Sequence, residues 1–182
     1  MSVHPPGRAA VWLVAAALCA GLPARAEPRV EYQLQAAYVS KFLRFVEWPE
    51  ARRPGEIFRV GVVGNGEFRV AMAALDGYAV GEGEIAVTTP EDLRALEDLH
   101  VLVLGPSSEK RALDFLLAAR ELPILTVSDA EDFNDVGGII QFVVVDDAMR
   151  FRVNVAAADR VDLSVSSRLL RLAVHVQRRW SP

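Results

Sequence analysis

Cysteine is nearly absent from the 182 residues: Cys19 is the one example, and it falls in an amino-terminal stretch that reads as a removable leader. Without that stretch the chain can form no intrachain disulfide, and thiolate catalysis and haem attachment are excluded with it. Histidine is scarce. His4 lies in the leader, and the other two, His100 and His175, have no second histidine at metal-ligand spacing. The acidic run of residues 129–135 lacks the glycine and closing glutamate of a calcium loop. There is no Gly-Lys-Ser/Thr nucleotide loop and no G-x-S-x-G elbow. Beyond the leader no apolar run approaches the roughly 20 residues of a membrane span; Gln141, for example, interrupts Ile139–Val145.

The leader has the three parts of an export signal. Arg8 gives a positive end, Ala9–Ala20 is uncharged and largely apolar, and Ala24-Arg25-Ala26 places small residues where a signal peptidase needs them. The apolar run is about 12 residues, or roughly 18 Å as a helix, too short to cross a bilayer. Cleavage is expected after Ala26, leaving residues 27–182 as a single exported domain. The 20 basic residues less Arg8 and Arg25 leave 18 against 24 acidic ones, a formal charge of −6. Such a surface favours neither nucleic acid nor an anionic membrane. A chain of this size buries about two-thirds of its unfolded surface and needs no disulfide staple.

Periodicity then orders the domain. Tyr32, Ala36, Val39, Leu43 and Val46 recur at steps of three and four, predicting a helix over 29–46 that Pro49 stops. Ile57–Val63 reads as a buried strand, Glu67–Leu75 as a helix, and Tyr78–Val87 as broken β-structure. Thr89 is the expected cap of a short helix through Leu99, with Pro90 at its first position. His100–Leu104 is a strand, and Ser107 or Ser108 is expected to cap a helix to Arg120. Pro123–Val127 and Ile139–Val145 are strands, and Asp146-Asp147 turns a hairpin into Met149–Val155. Ala156–Arg160 is a helical turn, and Leu169–Val176 is predicted as a closing helix with a basic face. Unbroken apolar strands between helices predict an α/β fold: a three-layer sandwich, mostly parallel, with a carboxyl-terminal antiparallel hairpin at one edge.

Several groups invite a functional reading. Gly64-Asn65-Gly66 sits between a strand and a helix, but no third glycine completes a dinucleotide fingerprint. A structural turn and a small-ligand site both fit there, as they do at Asp129, Gly137, Gly138 and Asn154. Asn154 is expected to cap the turn that follows it. Tyr38, Phe42, Phe45 and Trp48 gather four aromatics beside Lys41 and Arg44, either as core or as a partner-contact surface. Arg168, Arg171, Arg178 and Arg179 make either a solvated helix face or a patch for an acidic partner. No metal, cofactor or catalytic group is expected.

The segments Gln35–Pro49, Val60–Gly64, Leu125–Asp129, Gly137–Phe142, Phe151–Asn154 and Ser164–Ala173 together resemble the YfiR family of periplasmic proteins. Phe45-Val46-Glu47-Trp48-Pro49 is the most specific of these pieces. The resemblance implies an exported domain in the periplasm, with a three-layer Rossmann-like α/β sandwich, that acts by binding. Characterised members hold down an inner-membrane diguanylate cyclase through its periplasmic sensing domain, lowering cyclic-di-GMP and biofilm formation, and are reported as dimers. This sequence departs in lacking the cysteines that some repressors of the family carry. A rival reading is a periplasmic small-molecule-binding sensor domain serving a kinase or transport system.

Overall fold

The computed structural model describes residues 29–107 and 109–179, so the leader and the Ser108 cap lie outside the described residues. The chain opens with α1 (Val30–Phe42) and a two-residue strand β1 (Val46–Glu47). A 3₁₀ turn over Glu50–Arg52 leads to β2 (Ile57–Val63) and α2 (Gly66–Ala73). β3 (Ala79–Val80) and β4 (Gly83–Thr88) form a hairpin. A 3₁₀ helix over Leu93–Asp98 precedes β5 (Val101–Leu104), followed by α3 (Glu109–Ala119) and β6 (Leu125–Ser128). β7 (Ile140–Val145), β8 (Ala148–Asn154), α4 (Val155–Arg160), β9 (Ser164–Val165), α5 (Ser167–Leu170) and β10 (His175–Gln177) complete it.

Eight strands form one sheet in the order β10-β8-β7-β6-β5-β2-β4-β3, and β1 pairs with β9 apart from it. The run β4-β2-β5-β6-β7 is parallel throughout. Chain progression reverses between β2 and β5, since β2 leads to β4 on one side and β5 to β6 on the other. The β7–β8 hairpin is antiparallel, and the short β10 adds outside it, parallel to β8. Asp146 and Asp147 turn that hairpin with φ of 50° and 56°, the left-handed pair of a type I′ turn.

Alternation along β5 shows why both faces of the sheet are covered. Val101 and Val103 join the apolar cluster that contains α1, α2 and α4 residues. Leu102 and Leu104 join the opposite cluster with Leu96, Phe115 and Leu116. A two-residue period thus commits one short strand to two cores, the requirement of a three-layer sandwich.

Three sequence expectations are corrected. α1 ends at Phe42, not Val46, because Val46 is drawn into the ladder with Val165. The cap at residue 89 is displaced: Asp92 accepts from the N–H groups of Arg94 and Ala95, so the helical turns start at Leu93. The closing helix does not run to Val176. It stops at Leu170, and residues 175–177 are a strand. Val174 N–H donates to Phe151 O and starts the pairing that covers the outer edge of β8. An uncovered edge strand leaves backbone groups unmatched, and satisfying them outweighs the weak helical preference of Ala-Val-His-Val.

Candidate functional site

The strand ends come first, because open α/β sheets hold ligands in the crevice where strand order reverses. Here that crevice lies between Gly64, after β2, and Gly105, after β5. It is closed. Gly105 N–H donates to Val63 O at 2.8 Å and Asn65 N–H donates to Pro106 O at 2.6 Å. The fully buried Phe68 ring packs on both glycines, and a Cβ at either position would strike it. Asn65 turns its own oxygen onto Phe68 N–H at 2.9 Å, capping α2. Gly64 and Gly105 are therefore needed for close approach of an aromatic ring. Gly66 has open space around its α-carbon and opens α2.

Gly137 and Gly138 serve packing as well. Gly137 sits at φ +99°, and a side chain there would meet the Arg120 guanidinium; one at Gly138 would meet Phe133. The adjoining loop is held by two buried asparagines. Asn134 Nδ2 donates to Gly138 O and Ile139 O, both at 3.1 Å. Asn154 Oδ1 accepts from Ala157 N–H at 2.9 Å, the expected cap, while its Nδ2 donates to Asn134 O at 2.8 Å. Removing this side chain strands two buried backbone groups. Asn154→Ala should cost about 2 kcal/mol in urea unfolding at unchanged m, with Asn154→Ser, which retains a cap acceptor, recovering part of it.

Asp129 is half-buried where β6 ends, and its Oδ2 accepts from Gln35 Nε2 of α1 at 2.9 Å. It borders two depressions: a polar groove of about 420 Å³ that includes Glu31, Asp132, Gln141 and Arg152, and an apolar cavity of about 310 Å³ beneath α3. Neither Asn65 nor Asn154 lines either of them. Sequence reasoning passed over Gln35, which is 1% exposed. Its signal was a polar residue inside the Tyr32–Ala36–Val39 stripe.

The four aromatics divide. Phe42 and Trp48 are core residues, a correction to their reading as contact surface. Phe42 lies among the rings of Tyr38, Phe142 and Phe151. Trp48 Nε1 donates to His100 O at 3.2 Å. Tyr38 and Phe45 remain half-buried.

His100, set aside in the sequence as a metal ligand, is buried with its Nδ1 accepting from Arg59 N–H at 3.0 Å. Burial, then the positive charges of Arg52 and Arg59, lowers its pKa to about 4. Arg52 itself clamps the end of the Leu93–Asp98 helix, donating to Glu97 O and Leu99 O. Ser128 Oγ donates to Leu104 O and accepts from Ala130 N–H, so its hydroxyl is engaged with backbone on both sides. Among the described residues no group of three or more His, Cys, Asp and Glu side chains is placed to hold a metal ion. None of their helices is long and apolar enough to cross a membrane.

The arginines stand at the carboxyl-terminal end. Arg168, Arg171, Arg178 and Arg179 are exposed, distributed over α5 and the segments after it and not along one helix. Apolar side chains are exposed beside them: Leu172 at 65% and Val174 at 46%. Val145, Arg152, Val174 and His175 together line an open depression of about 450 Å³.

Comparison with known proteins agrees with this architecture. A solved structure of a conserved domain protein from Vibrio cholerae O1 biovar eltor superposes with a TM-score of 0.53 at 12% identity. The match covers 80% of this chain and 60% of that protein, so the two share a fold over part of the longer molecule. No curated protein matches. The model of the YfiR/HmsC-like family matches residues 32–174, from the first turn of α1 to the residue before β10. The chain belongs to the YfiR/HmsC-like family.

Proposed function

We propose that this chain is a periplasmic regulatory protein that binds the periplasmic domain of an inner-membrane diguanylate cyclase and represses it, lowering cyclic-di-GMP. Membership of the family supports a regulator. The observation that carries a binding role is the exposed apolar set Leu172, Val174 and Val145, of which Val145 and Val174 share a depression with Arg152, while Arg168 and Arg171 are exposed close to Leu172 in the chain. On a chain with formal charge −4, a local group of arginines around apolar side chains suits a partner face that is apolar at its centre and acidic at its rim. The mechanism is stoichiometric: occupancy of the partner's sensing domain holds it in an inactive arrangement, and no bond is made or broken.

The pair Leu172→Asp and Arg171→Glu tests this. Both positions are exposed, so the melting temperature should stay within about 2 °C. Affinity for the partner domain should fall by roughly 30-fold or more. Cells carrying the variant should show the raised cyclic-di-GMP of a deletion strain. Full repression by a variant that is folded and exported would refute the surface, and unchanged cyclic-di-GMP on deletion would refute the function.

A further inference from the structure

The crevice between β2 and β5 is filled by Phe68, but its neighbour at the ends of β5 and β6 is open. That cavity, about 310 Å³, lies within the size range of small-ligand pockets. Its lining is mainly apolar, and Leu113 and Val136 stand at it 46% and 42% exposed, apolar surface that an occupant would cover. Among the described residues, Asp129 and Glu131 are the charged ones that line it, and no described lysine, arginine or histidine does. Ser128 contributes little to a ligand, because backbone partners already engage its hydroxyl. A mainly apolar chamber whose charged described lining residues are both acidic favours a cation with a hydrophobic body over phosphates and carboxylates.

We propose that this cavity binds a small primary amine with an apolar body, its ammonium on Asp129 and Glu131 and its hydrocarbon beneath α3. Asp129 also accepts from Gln35, so occupancy is felt directly by α1. The site is distinct from the β10 edge and is read on the isolated protein, so its failure and the failure of the repressor reading are separate results.

The test titrates hexylamine, hexanol and hexanoate into the purified protein, followed by calorimetry and amide chemical shifts. Hexylamine should bind one site at least about tenfold more tightly than either analogue. Shifts should centre on residues 104–107 and 129–136 and reach Gln35. Ala112→Phe, which fills the cavity, should abolish binding. Asp129→Asn should remove the preference for the amine while leaving hexanol binding unchanged. Absence of saturable hexylamine binding, equal binding of hexanoate, or shifts centred elsewhere would overturn the proposal. The shift map on the unaltered protein decides the matter even if a variant fails to fold.

Discussion

Replacing Phe42 with alanine should lower the free energy of unfolding by about 3–5 kcal/mol. The ring is 1% exposed. Its centroid lies 5.0 Å from that of Phe151, edge to face, 5.8 Å from Phe142 and 5.9 Å from Tyr38. These neighbours belong to β8, β7 and α1, so the hole left by truncation is walled by elements fixed elsewhere in the core and collapses little. Each lost aromatic pair adds roughly 0.5–1.5 kcal/mol to the transfer cost. Phe42→Leu, which restores much of the volume, should recover more than half. Urea unfolding followed by Trp48 fluorescence measures both. A loss below about 1 kcal/mol would place this side chain outside the core.

Acid should weaken the fold through His100. Its folded pKa is about 4 against an ordinary value of 6.5. The unfolded chain therefore binds the proton first as pH falls, and stability must decline across that window. The contribution is complete above pH 6.5 and is lost as pH falls towards 4, a change of about 3 kcal/mol at 1.36 kcal/mol per pH unit. Protonation also removes the Nδ1 acceptor from Arg59 N–H and sets a cation beside Arg52 and Arg59. His100→Asn, whose Oδ1 takes over the acceptor, should unfold with a smaller loss between pH 7 and pH 4. The difference between the two urea profiles isolates this group, and parallel profiles would dismiss it.

Legibility in the sequence followed the strength of local signals. Ile57–Val63 was read to the residue because a run of apolar side chains ends at a glycine turn. The Asp146-Asp147 hairpin was equally plain, since only a left-handed pair closes so short a connection. Asn154 was recognised as a cap, but its second bond, to Asn134, spans 20 residues and leaves no trace in spacing. The closing segment misled for a related reason. Leu169-Leu170-Arg171-Leu172 has helical spacing, yet the demand that turns 175–177 into a strand comes from β8, more than 20 residues upstream. Phe42 and Trp48 showed their chemistry but not their direction. An aromatic in an amphipathic stripe looks the same whether it faces a core or a partner until the other elements are placed. The glycines of 64–66 carried the opposite ambiguity. Their spacing fitted a structural turn and a ligand turn alike, and the reason for Gly64 proved to be Phe68, two residues beyond the motif.

The ring of Phe68 also bears on how this molecule is best perturbed with drugs. In open α/β sheets a counterfeit cofactor would be aimed at the central cleft, where strand order reverses. Such a compound finds no vacancy here, because the helix that would receive its phosphate carries the stopper itself. Medicinal chemistry directed at this scaffold belongs on its flanks, where hydrocarbon already meets water.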